Sequence, residues 1–105
     1  MDLRKGHAMA IVRINEFHAA VGKSTALLEF LRAVMDVVKS SSGCHGCQLL
    51  VDNEDGSQLA IVETWDSIAA HQAAAGKIPP DKLAEVMPLL AMPPKGRYYR
   101  AEPTA

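Results

Sequence analysis

Little in this chain of 105 residues is aromatic, cysteine-rich or charged to one sign, and each shortage removes a class of function. Aromatic residues are 5% of the chain. A sheet that stacks the bases of single-stranded RNA needs more than that, together with a basic surround. Lys and Arg number 11 against 12 Asp and Glu, a formal net charge of -1. The basic excess of a protein drawn to nucleic-acid phosphates is missing. Two cysteines cannot staple a small secreted fold. No run approaches the roughly 20 apolar residues of a membrane span. Nothing resembles a secretory leader; near the start the longest apolar stretch is Ala8 to Val12. Gly-rich phosphate loops, a nucleophile elbow and HExxH-type histidine spacing are all absent. The expectation is a cytoplasmic protein that binds neither nucleic acid nor membrane and uses no cofactor and no metal.

What is present is globular: 49% hydrophobic and 22% charged residues, read as one domain over 1–105 with a core of about 9–102. Met9 to Phe17 reads as a strand and Gly22 as a turn, with Ser24 or Thr25 capping the helix that follows. Leu27, Leu28, Leu31, Val34, Met35 and Val38 recur on one helical face up to about Lys39. A second apolar row, Phe30, Ala33 and Val37, predicts burial of that helix on more than one side. Cys44 to Val51 and Gln58 to Trp65 read as a strand hairpin. Asp66 or Ser67 caps a short helix, Ile68 to Ala75. A helical pattern restarts at Pro79-Pro80-Asp81, and Pro88 kinks or ends it. Arg97 to Glu102 reads as a last strand.

The order strand, helix, strand, strand, helices, strand predicts an α+β fold: a ferredoxin-like βαββαβ subunit with a four-stranded antiparallel sheet. Strand parity adds a requirement. Ile11 and Phe17 oppose Val12 and Ile14, and Leu59 and Ile61 oppose Ala60 and Val62. Both sheet faces are therefore apolar, and one layer of helices covers one of them. A second copy packed sheet to sheet is the simplest cover, which predicts a homodimer.

Several residues stand out chemically. Cys44-His45-Gly46-Cys47 follows a helix and opens a strand, opposite to the thioredoxin arrangement, and lacks a second ligand pair for zinc. Small core hydrophobes are the main reading, with an inter-subunit zinc site as the rival. His71 lies among alanines (Ala69, Ala70, Ala73, Ala74, Ala75), which leave room for a ligand; a half-exposed helical histidine is the plain alternative. Asn15 shares a strand face with Ile11, Arg13 and Phe17, so its amide needs a backbone or a ligand partner. Trp65 closes the third strand, where core packing alone explains it. Tyr98 and Tyr99 point to opposite faces.

Gly22, Ser42-Gly43-Cys44-His45-Gly46 and Glu63-Thr64-Trp65-Asp66-Ser67 together resemble the antibiotic biosynthesis monooxygenase family of dimeric α+β barrels, over about Met9 to Tyr99. The resemblance implies a homodimer and a cofactor-independent oxidation of a small aromatic or quinol-type substrate by dioxygen. His71 would accept the substrate proton and Asn15 would donate to the developing oxyanion, with Phe17, Trp65 and Met87 as pocket walls. Haem degradation, another branch of the family, uses a histidine in the second helical region, and Pro80 to Met92 has none. Many members carry a histidine nine residues after the tryptophan; here Ala74 stands there and His71 one helical turn earlier. The rival class is a non-catalytic dimer that binds a small hydrophobic molecule.

Overall fold

A computed structural model describes residues 10–103. The chain runs β1 (Ile11–His18), α1 (Ser24–Lys39), β2 (Cys44–Val51), β3 (Gln58–Trp65), α2 (Ile68–Ala75), α3 (Pro80–Val86), a 3-10 turn (Met87–Leu89) and β4 (Lys95–Arg100). The strands form one antiparallel sheet in the order β2-β3-β1-β4, the ferredoxin-like arrangement. Met9, the expected first residue of β1, lies outside the described residues. Among the described residues no helix is long and apolar enough to cross a membrane.

One sheet face carries the core. Phe17 on β1 pairs with Leu59, and Asn15 with Ile61, so Phe17, Leu59 and Ile61 meet Leu27, Leu31 and Met35 of α1. A smaller cluster, Val38, Trp65 and Ala74, ties the end of α1 to α2. The opposite face carries Val12, Ile14, Ala60 and Val62, and among the described residues no helix lies over them; Leu50 and Tyr99 flank them at 44% and 46% exposure. The alternation read from the strands thus sorts residues onto the faces as expected.

Three local expectations change. Neither Ser24 nor Thr25 caps α1: Lys23 occupies that position and offers no side-chain bond. The cap at α2 does form, with Ser67 accepting from the Ala70 N–H. Of the second apolar row of α1, Phe30 packs part-buried against the core, whereas Ala33 and Val37 face outward, Val37 at 41% exposure, because the helix packs on the sheet mainly along its Leu27–Val38 stripe. β4 begins at Lys95, two residues earlier than read, since Lys95 and Gly96 extend the ladder opposite Glu16 and Asn15. Pro88 behaves as expected: lacking an N–H, it leaves α3 to close as a 3-10 turn.

Candidate active site

Register brings four elements to one place on the helix-covered face. Arg13 on β1 lies opposite Glu63 on β3 and Tyr98 on β4, so one arginine stands between a carboxylate and a phenol. Directly paired strand residues hold their Cβ atoms about 4.5–5.5 Å apart. α2 lowers His71 onto this trio. The helix is fixed at its start by the Ser67 cap and by the Asp66 N–H donating to the Gly43 carbonyl at 2.8 Å. Gly43, with φ +88°, lets the turn into β2 pass under α2; a Cβ there would lie 2.8 Å from the Ala70 Cβ.

The contacts form a chain. Tyr98 Oη lies 2.6 Å from His71 Nδ1. His71 Nε2 faces Glu63 Oε1 at 3.9 Å. The same carboxylate oxygen accepts from Trp65 Nε1 at 2.7 Å. Trp65 and Tyr98 both meet the imidazole edge to face, with ring centroids 5.5 and 5.3 Å away. The Arg13 guanidinium carbon sits 4.6 Å above the centre of the Tyr98 ring, within cation–π range.

Burial shapes the protonation states. Glu63 is 6% exposed. Loss of water pushes its carboxyl above the ordinary range, opposed by the Trp65 N–H and the Arg13 charge. His71 is held below its ordinary value, first by burial and then by Arg13. A neutral imidazole can accept a proton at Nδ1 from the Tyr98 hydroxyl while its Nε2–H points to Glu63. The arrangement can move a proton from the phenol oxygen to the imidazole and stabilise the resulting cation with the carboxylate.

Of the residues singled out in the sequence, His71 and Trp65 come together here, and Asn15 lies on the same face two residues along from Arg13. Trp65 has no exposed surface, so it backs His71 instead of walling an opening. Phe17 belongs to the α1 core and also borders a cavity of about 540 Å³ at the other end of β3, with Leu59, Met92, Pro93 and Lys95. Met87 is 57% exposed where α3 gives way to the 3-10 turn, apart from this cluster. The room left by the α2 alanines is a cavity of about 370 Å³ against the Ser41–Gly43 turn, and its lining is Ala69, Ala70, Ala73 and Ala74 without His71. Expected room beside the imidazole is therefore on the other side of the helix.

The sequence reading assigns no site role to Arg13 or Glu63, and of Tyr98 it says only that it faces opposite to Tyr99. One signal was available: Arg13 and Glu63 share the parity of Phe17 and Leu59, so each puts a charge on the covered face, where charges require partners.

Cys44 and Cys47 are free thiols at the α1–β2 junction, packed against the Val38–Trp65 cluster. Burial pushes both thiols up, away from the low values of reactive cysteines. No group of three or more His, Cys, Asp or Glu capable of holding a metal ion occurs among the described residues.

Comparison with solved structures shows the same fold at low identity. PA3566 from Pseudomonas aeruginosa is 22% identical with a TM-score of 0.79, covering 92% of this chain and 98% of that one. Rv0793 from Mycobacterium tuberculosis is 22% identical at 0.79, covering 91% and 98%. SnoaB, a cofactor-independent oxygenase from Streptomyces nogalater, is 14% identical at 0.78, covering 92% and 97%. No curated protein matches. The family profile named antibiotic biosynthesis monooxygenase matches residues 10–77, well over half of the chain. This chain belongs to the antibiotic biosynthesis monooxygenase family.

Proposed function

We propose that the chain is a cofactor-independent monooxygenase that oxidises a small aromatic or quinol-type substrate with dioxygen, working as a homodimer in the cytoplasm. One observation carries the reading: a half-buried histidine, His71, held below its ordinary value between a phenol hydroxyl and a carboxylate, both opposite Arg13. The substrate hydroxyl gives its proton to the Tyr98 oxygen as Tyr98 passes its own to His71 Nδ1, and Glu63 stabilises the imidazolium. Asn15 donates to the substrate oxygen as charge develops. Trp65 fixes the Glu63 carboxylate and the imidazole edge. Electrons come from the substrate itself. Its deprotonated ring reduces dioxygen, a peroxide forms at the ring carbon, and loss of water leaves a carbonyl. A methylene and one dioxygen thus give one carbonyl and one water. The family membership and the likeness to SnoaB's fold support this class of reaction.

The dimer is supported by the uncovered face of Val12, Ile14, Ala60 and Val62. Light scattering at micromolar concentration should return twice 11.3 kDa. A stable monomer there would remove the dimer.

Oxygen uptake by metal-stripped protein, with a panel of quinols, phenols and anthrones, tests the activity. Asn15→Ala should lower turnover by about 10²–10³, and His71→Ala by about 10²–10⁴, with the fold intact. Activity lost on chelation, or restored only by flavin, would refute the mechanism. Ligand binding with no oxygen uptake from any of the panel would place the chain among non-catalytic hydrophobic-ligand binders.

A further inference from the structure

Arg13 holds a hydrogen-bond donor, its Nε, that its surroundings leave unpartnered. Its half-buried side chain crosses the sheet so that the guanidinium lies on Gly96, where a Cβ would fall within the guanidinium itself. Gly96 is the register partner of Asn15. Among the described residues the ion pairs leave Arg13 out, and its buried Nε has no hydrogen-bond partner. A buried, unsatisfied donor is rare in native proteins and calls for an explanation. Glu63, directly opposite in the sheet, is drawn instead to the Trp65 N–H and His71 Nε2. The cationic head is therefore held over the Tyr98 ring, beside the Asn15 position, with its Nε donor unpartnered.

We infer that Arg13 sets the substrate class: it binds the oxygen anion of an aromatic hydroxyl, so the site selects a phenolate over its neutral ether, and Gly96 is glycine to admit the guanidinium. The inference rests on the proposed oxidation of a phenol-type substrate at this site and adds to it the group that recognises the ionised oxygen. Tyr98 positions Arg13 from below through the ring face, and its hydroxyl points on to His71. A guanidinium stays charged at any working pH and forms charge-assisted bonds to oxygen anions that a neutral amide cannot match. The charged groups facing it are Glu63 from β3 and His71 from α2. Glu63 takes its close hydrogen bond from Trp65 Nε1 and not from Arg13, which leaves the guanidinium free to bond a ligand.

The test uses 4-nitrophenol and 4-nitroanisole as probes under anaerobic conditions, so that no turnover occurs. Binding is measured by equilibrium dialysis, and ionisation of the bound nitrophenol by its visible absorption. Wild type should prefer nitrophenolate over nitroanisole by about tenfold to a hundredfold, the range of one hydrogen bond to a charged group. Arg13→Gln and Gly96→Ala should both abolish that preference, and Arg13→Lys should restore part of it. Equal binding of the two probes by wild type, no binding of nitrophenol at millimolar concentration, or a preference that survives in Arg13→Gln would each overturn the assignment. A merely structural Arg13 would lower thermal stability while leaving the preference unchanged, which also refutes it. Oxygen uptake measured separately tells the two readings apart. A phenolate preference without oxygen uptake would sink the monooxygenase and leave the anion site. Uptake that Arg13→Gln leaves unchanged, with no phenolate preference, would do the reverse.

Discussion

Trp65→Phe removes the contact on which the cluster's geometry depends. The indole is fully buried, packed with Val38 and Ala74, and its Nε1–H donates to Glu63 Oε1 at 2.7 Å. Phenylalanine keeps a ring in the site and deletes the donor. An acceptor orphaned in a buried site costs about 1–3 kcal/mol. The space of the lost ring, a gap of roughly 40 Å³ at about 24 cal/mol per Å³, adds about 1 kcal/mol. A total near 2–4 kcal/mol is therefore expected from urea denaturation followed by circular dichroism at fixed protein concentration, since the stability of the proposed dimer would vary with concentration. The single change does not separate the bond from the packing, so it is combined with Glu63→Leu in a double-mutant cycle. Residues in direct contact couple by about 0.5–3 kcal/mol. Trp65→Phe should cost clearly less in the Glu63→Leu background, where no carboxylate is left unpaired. Equal costs in both backgrounds would show that the bond contributes nothing and would refute the reasoning.

Gly43→Ala should destabilise by about 1–2 kcal/mol from the positive φ alone, and more from the clash with Ala70, read as a fall in Tm. NMR titration should find the His71 imidazole below its ordinary value, and Arg13→Gln should move it back up because the arginine's charge is one of the two causes. Because the folded state resists protonating His71, the unfolded state binds more protons between the lowered value and about 6.5. The His71 contribution is therefore full above about 6.5 and is lost as pH falls through the lowered value. Glu63 acts with the opposite slope. Its raised carboxyl keeps a proton that the unfolded chain releases, so stability falls as pH rises from about 4.3 through the raised value. Glu63→Gln should remove that second slope in pH-dependent denaturation. Cys44 and Cys47 should react with a thiol reagent more slowly in the native protein than in urea, and protein purified without added metal should hold no stoichiometric zinc.

Periodicity made most of the fold legible. β2, β3 and α2 have the bounds read from residue alternation and punctuation, because each is flanked by a turn or capping residue such as Gly43, Gly56, Ser67 or Gly76. β4 was misplaced by two residues because Lys95 and Gly96 carry no strand propensity; the glycine is there to make room for Arg13. Ala33 and Val37 of α1 face outward although Phe30 of the same row does not, because apolar residues on a helix do not say which neighbour covers them. The cluster itself was harder. His71 stood out by residue type, but Glu63, Arg13 and Tyr98 come from three different strands, and only the register juxtaposes them. Their separations of 50 and 35 residues in sequence follow from sheet order and leave no local motif (63 − 13 and 98 − 63). Phe17 and Met87 were drawn in as walls by the resemblance, and the chain places one in the α1 core and the other on the surface.

Isotope labelling tests the central claim most directly. Metal-stripped, flavin-free protein is incubated with an anthrone under labelled dioxygen, and the product and water are analysed by mass spectrometry. The account predicts one labelled oxygen atom in each product carbonyl and the other in water, with one dioxygen consumed per substrate. Product whose oxygen comes from solvent, or labelled product formed no faster than without protein, would contradict it.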